Sequence, residues 1–545
     1  MISEGQSLYL RIDGENDANT TFIDSLGYQK RHADFQSLSN AIDSTFIRIQ
    51  RLGYIDCELI ETAKINDSTF HSKLNLNRRF DTIYIYYPKN VLSASDLALI
   101  SDSVESDFFV LPILRLEAAL TTLNSILANR GKPFLSLRLS DLKKESGLLI
   151  ARLEINQTEK RTIDKIIIKG YERFPKSFIR HYLKIKSGTE FNLGAIRKKS
   201  EQLNNLPFAN QIREPEMLFT ADSTTLYFYI EKTRSNSFDG FLGFGTNDET
   251  NKLEFDGYLN LNLVNSLNFG ESLQLNYKSD ENDQQTLNVS ARLPYLFRTP
   301  LGTEVRLNIF KKDSSFTTVS QSFDLFYQLN PNQKLFVGIE ALQSNNLLEN
   351  TTANIQDLKS NFVNLKYEWL KAQGNSPLFP YSFRLNAGLG IGRRTINTEK
   401  VEQQRFNLDV FRIFNLNTKN SIYLRLQSAG ILSDDLYDNE LLRLGGINSI
   451  RGFEENVLIA SLHAVLNTEY RYQLNQTIYI HSIFDAGYLE NDLTQSREKL
   501  FGFGFGFGLI TRAGLLKFNY ANGKIEGQNF KLANSKIHIS LNAVF

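Results

Sequence analysis

Cysteine is almost absent from this 545-residue chain: Cys57 stands alone, which excludes an intramolecular disulfide and a thiolate metal cluster. It falls in the apolar stretch Gly53-Tyr54-Ile55-Asp56-Cys57 and reads as a buried structural thiol. No run of 18 apolar residues occurs, so a transmembrane helix is excluded. Net charge is nearly absent too, at +1 from 61 basic and 60 acidic side chains, and gives no global pull toward nucleic acid. There is no G-x-S-x-G elbow, no H-E-x-x-H and no G-x-x-x-x-G-K-[ST], and the 6 histidines are scattered. An enzyme is therefore not expected, nor a metal or nucleotide cofactor. Residues 1–10 lack a basic segment followed by an apolar core, so no signal peptide is visible; the chain is cytosolic or begins after a removed one. What the sequence does hold is 40 Phe, 23 Tyr and 32 Gly against 1 Trp, 2 Met and 11 Pro. That mixture suits a protein built largely of strands.

The first 235 residues mix the helical and strand periods. Leu8–Asp13 reads as a strand, 33–52 as a helix, and 54–63 and 69–77 as strands. A second cycle runs through a strand at 81–87, a helix at 112–130 and strands at 134–139 and 148–156. A third has a strand at 162–169, helices at 175–183 and 193–204, and a hairpin of 211–219 with 225–232. Three diverged strand–helix–helix–strand–strand repeats, at 1–79, 80–159 and 160–235, account for this half. Their joints, Arg79-Phe80 and Glu159-Lys160-Arg161, are short enough for a semi-rigid string.

After Ser235 the helical period disappears. Residues 236–545 hold sixteen alternating segments separated by Asn, Asp, Gly and Ser. The spacing is about 19 residues, room for a tilted membrane-crossing strand and its turn. In the last segment Ile537, Ile539, Leu541, Ala543 and Phe545 share one face, and Lys536, His538, Ser540 and Asn542 the other. A soluble sandwich would look similar strand by strand. Sixteen strands without helices, with polar residues of both signs on one face, fit a lipid-facing exterior and a wet lumen better.

The longest loop, about 432–461, contains Leu444-Gly445-Gly446-Ile447-Asn448-Ser449-Ile450-Arg451-Gly452-Phe453. Glycines around one arginine describe a tight hairpin able to present a cation where bulk would not fit. Glu469 and Asp485 lie on polar strand faces downstream. An arginine inserted in a lumen needs such a carboxylate partner, because an unpaired desolvated charge is expensive. The ordinary alternatives are a solvated loop arginine and carboxylates that merely line a channel. The run Phe501-Gly502-Phe503-Gly504-Phe505-Gly506-Phe507-Gly508 places four Phe on one face and four Gly on the other. Its glycine track reads as room for an inserted loop or a bend in the wall; the alternative is a plain low-complexity stretch of barrel wall with good lipid contact.

Ile450-Arg451-Gly452-Phe453 resembles the lumen-loop signature of the Omp85 superfamily, and Phe484-Asp485-Ala486-Gly487 resembles its following-strand signature. Asn467-Thr468-Glu469-Tyr470-Arg471, the glycine-rich strand and the terminal Phe545 fall in family order, although Ala543 stands where an aromatic residue is common. The three repeats resemble POTRA domains. The resemblance implies α+β POTRA repeats followed by a sixteen-stranded antiparallel transmembrane β-barrel at 236–545, with Arg451 meeting Asp485 and Glu469 nearby. It implies the outer membrane as location, with the POTRA domains in the periplasm and a signal peptide already removed. It further implies partners that are lipid and unfolded outer-membrane or secreted polypeptides, with accessory proteins possible and no nucleic acid. The implied work is assembly, insertion or translocation of polypeptides; three POTRA units on a compact barrel resemble the translocation-and-assembly-module branch more than the longer, usually five-POTRA central insertase, and two units would have suggested two-partner secretion. The alternatives are a passive pore and a two-partner-secretion-like transporter. In this family function comes from a weak seam between the first and last strands, where Gly240, Gly243 and Gly245 weaken packing further. Six Asp-Ser/Thr triplets, beginning at Asp24, Asp43, Asp67, Asp81, Asp102 and Asp222, all precede the barrel. They resemble the periplasmic O-glycosylation motif of Bacteroidota, and are equally ordinary turn and cap chemistry.

Overall fold

The computed structural model describes residues 7–156, 159–246, 253–279, 284–348, 354–373, 376, 378–511, 514–529, 531–532 and 535–544. Phe545 lies outside them. Two compact units make up the chain. One comprises Met1–Asp164, Gly188–Ala195 and Phe219–Thr224; the other comprises Lys165–Ser187, Ile196–Leu218 and Thr225–Phe545.

In the first unit two sheets share one plan. Leu8–Asp13 pairs in parallel with Thr69–Asn75, whose other neighbour is its own hairpin partner, Glu58–Lys64. Thr82–Tyr86 likewise pairs in parallel with Leu148–Asn156, flanked by Ser136–Glu145. A parallel pairing demands a crossover, and helices Phe35–Arg51 and Leu116–Ala128 supply it. Asp34 caps the first of these in a reciprocal box with Ser37. The helix then turns Leu38, Ile42 and Ile49 onto Leu10, Ile12 and Leu74, with Cys57 in the same core. At the joint between the sheets Phe80 N–H donates to the Gly53 carbonyl at 2.9 Å, and the Asn77 amide to that of Asp56 at 2.8 Å. A backbone bond across a joint holds the two sheets in one geometry.

The third sheet, Lys165–Gly170, Thr224–Lys232 and Ala209–Phe219, repeats the parallel plan. It is fastened to the barrel turns. The Tyr171 hydroxyl donates to Asn268 Oδ1 at 2.6 Å and accepts from Asn265 Nδ2 at 2.9 Å. Lys184 donates to the Leu329 carbonyl at 2.9 Å, and Phe178 stands edge-on to Tyr295. The expected helix at 175–183 is a single π turn, Phe178–Tyr182.

Among the described residues sixteen strands close a barrel, from Ser237–Thr246 to Ser535–Val544. They follow the sixteen alternating segments closely. The third differs: its alternation in sequence runs from Leu267 to Lys278, but the strand begins only at Ser272, because Asn265, Asn268 and Gly270 take positive φ in the turn before it. Outward-facing Val305, Ile339, Val363, Ile391, Ile537 and Ile539 are exposed, as a wall in lipid requires. The seam is the exception in an otherwise long ladder. The first and last strands pair at Ser237–Val544 and Phe238–Ala543 alone among the described residues. Gly240, Gly243 and Gly245 all lie on the first strand beyond that pairing.

Candidate functional site in the barrel lumen

The eleventh strand, Asn420–Leu432, and the twelfth, Leu462–Gln473, are joined by the long loop, whose base is a short hairpin of Leu442–Leu444 with Leu458–Ala460. Gly445 and Gly446 follow with φ of 121° and 84°, a region L side chains rarely enter. A Cβ on Gly445 would come within 2.1 Å of the Glu454 carbonyl oxygen, so only glycine lets the two limbs of the loop lie together. Ile450 is fully buried among Leu444, Val465, Leu489 and Leu500, with Phe453 packed alongside.

This anchor delivers Arg451 into the wall. Its backbone N–H and Nε both donate to Asp485 Oδ2 at 2.9 Å, and Nη2 to Oδ1 at 2.5 Å. Its Nη1 reaches Glu469 Oε1, whose other oxygen accepts from Arg471 Nε at 2.7 Å. The arginine therefore bridges both carboxylates. Asp485 is 0% exposed and Arg451 5%. Two charges out of water persist only when each is fully hydrogen-bonded, and this fork satisfies both. Arg471 in turn lies over the rings of Tyr423 and Phe379, at 4.0 and 4.7 Å.

The glycine track is where the loop meets the wall. A Cβ on Gly502 would stand 2.3 Å from the Arg451 carbonyl oxygen, and one on Gly523 2.4 Å from that of Gly452. Gly506 and Gly508 make room for His481 and the Tyr479 ring, while Phe503 and Phe505 face outward and are exposed.

Three further anchors escaped the sequence reading. Buried Arg394 donates to Glu440 Oε2 at 2.7 Å, and Gln403 to Oε1 at 2.9 Å, fixing the loop's entry to the ninth and tenth strands, Tyr381–Ile396 and Glu399–Asn415. Arg425 chelates Asp409 and donates to the Asn448 carbonyl at 3.0 Å. Beyond the motif, Glu454 accepts from Lys536 and Glu455 from Lys278. No spacing in the chain advertises these partners.

Opposite the anchored wall the lumen stays open. Asn260, Asn276, Asn288 and Asn308 stand side by side in register across the second to fifth strands. They line a cavity of about 830 Å³ whose far side includes Asn448 and Arg443 of the loop.

Residues 227–509 match the family model described as haemolysin secretion/activation protein ShlB/FhaC/HecB. The chain belongs to that family. Residues 161–233 match the POTRA model, described as surface antigen variable number repeat. The ShlB/FhaC/HecB-type barrel is also similar to solved structures. BamA from Haemophilus ducreyi lacking POTRA domains 1-3 has a TM-score of 0.52 at 15% identity, over 85% of this chain and 99% of that one. CdiB from Acinetobacter baumannii gives 0.52 at 16% over 85% and 89%, and CdiB from Escherichia coli 0.52 at 13% over 94% and 98%. These likenesses share the fold. A comparison with curated proteins returned no match. Family, POTRA domain and sixteen-stranded barrel make this an Omp85-superfamily protein of the outer membrane, in the class that translocates or inserts polypeptides.

Proposed function

We propose that this chain is an assembly or insertion factor: it receives unfolded polypeptide at its periplasmic repeats and releases it into the outer membrane through the seam. The observation that carries this reading is the closure of the barrel by two residue pairs among the described residues, where the strand pairs on either side of the seam share nine or more. An opened seam offers unpaired backbone donors and acceptors that an incoming strand satisfies by β-augmentation. The repeats offer the same chemistry at free strand edges such as Glu58–Lys64. Neither step calls for nucleotide, metal or bond-breaking chemistry.

The test is a disulfide between Phe238→Cys and Ala543→Cys, positions paired across the seam. Locked protein in proteoliposomes should lose client assembly and regain it on reduction. Full assembly by the locked protein would overturn the reading.

A second reading is secretion of a partner polypeptide through the lumen, favoured by the match to the haemolysin secretion/activation family. A secretion pore works with its seam locked, so the same disulfide separates the two. A passive pore would show high stable conductance in planar bilayers and no effect on client folding.

A further inference from the structure

The two ends of the seam are held by different means. Backbone pairing joins Ser237–Val544 and Phe238–Ala543, at the end that follows the third repeat. Continuing that register would set Gly240 opposite Leu541 and Gly245 opposite Lys536, but among the described residues the ladder does not extend there. At that far end the lumen loop takes over. Adjacent residues at its tip point to opposite sides of the gap. Glu454 Oε1 accepts from Lys536 of the last strand at 2.7 Å, and Glu455 Oε2 pairs with Lys278 of the third strand, Ser272–Ser279. The first and second strands lie between those lysines in the wall. The tip cannot drift, because Gly452 is pressed against Gly523 and Arg451 is forked onto Asp485.

We propose that Glu454 and Glu455 form an electrostatic clasp across the seam, positioning the last strand against the opening strands and coupling the seated loop to barrel closure. The proposal rests on the seam reading above. The clasp biases the seam without sealing it: the four side chains are between 35% and 49% exposed, and ion pairs at such exposure are weak and screened by salt. A seam closed by a buried pair such as Arg451–Asp485 would not open on a useful timescale. One closed by half-wet pairs would.

The sensor is the rate at which Gly240→Cys and Leu541→Cys form a disulfide in the full chain in lipid under fixed oxidant; Cys57, the one native cysteine, is buried. Glu454→Gln with Glu455→Gln should slow the reaction about two- to fivefold, as expected for two weak pairs. Raising salt should slow the parent by a similar factor and leave the neutralised variant unchanged. The exchange Glu454→Lys with Lys536→Glu should restore the parent rate, while Glu454→Lys alone should be the slowest. Heat-modifiable gel mobility reports that each barrel is folded. Should the double Gln variant misfold, Glu455→Gln alone and the exchanged pair carry the same test. An unchanged rate in the folded neutral variant, or no rescue by the exchange, overturns the clasp. Undiminished assembly by the Phe238–Ala543 disulfide instead overturns the seam reading, and the two failures are distinct.

Discussion

The carbonyl oxygen of Arg451 lies where a side chain on Gly502 would begin, 2.3 Å from the position of its Cβ. The arginine's charge is held by Asp485 on one strand, and its backbone is seated by a missing methyl on the next. The motif and the glycine track are thus two halves of one joint.

Gly502→Ala should therefore unseat the loop although it adds only a methyl group. Overpacking against backbone that cannot yield costs about 1–3 kcal/mol. Urea unfolding of the barrel in lipid should register that loss. Phe505→Leu, on the exposed outer face of the same strand, should leave the midpoint nearly unchanged.

Asp485→Asn leaves a buried guanidinium without its forked partner, a loss of about 3–5 kcal/mol. Glu469→Gln should cost less, since Arg451 keeps all three bonds to Asp485. In a double-mutant cycle, Arg451→Leu with Asp485→Leu should fall well short of the sum of the single losses. Additivity would show that the two act independently.

Acid should weaken the second repeat. The Arg130 guanidinium, with help from Ser93, holds the Asp96 carboxyl down at about 2 against an ordinary 3.8. A depressed carboxyl contributes stability that is complete above its unfolded value and lost as pH falls toward the folded one. Pepsin sensitivity of that repeat should rise between about pH 4 and pH 2. Asp96→Asn should be sensitive already at pH 4 and show a flatter profile.

Burial pushes the Cys57 thiol up to about 11. A thiol reagent at pH 8 should leave the native chain unmodified and label one site once it is unfolded. Labelling of the native protein at the unfolded rate would contradict the packing of Cys57 against the first repeat's core.

The barrel was legible because lipid outside and water inside impose a period of two on every strand, and sixteen such stretches are hard to mistake. The third strand's start was not. Glu271 folds back to accept from the N–H groups of Leu267 and Phe269, at 2.6 and 3.0 Å, and turns apolar residues that alternate like a strand into a turn. Helix Asp17–Ser25 escaped for the opposite reason: its only buried residue is Ile23, so it carries little periodic signal. Two of the Asp-Ser triplets, at Asp24 and Asp43, begin within helices. The Ser25 and Ser44 hydroxyls donate to the carbonyls of Phe22 and Ala41 within their own helices. At the site, Arg451, Asp485 and Glu469 were reachable through their motif context. The Arg394–Glu440 pair was not, since neither residue sits in a recognisable pattern and only the closed wall brings them together.

The row Asn260, Asn276, Asn288 and Asn308 faces a lumen whose other bank is taken up by the loop. Anything threading this barrel would travel off its axis, with a row of amides on one flank and the seated loop on the other. The path is lopsided before any client enters, so the two sides of a passing chain would meet unlike surfaces, and its orientation in transit is a property of the wall.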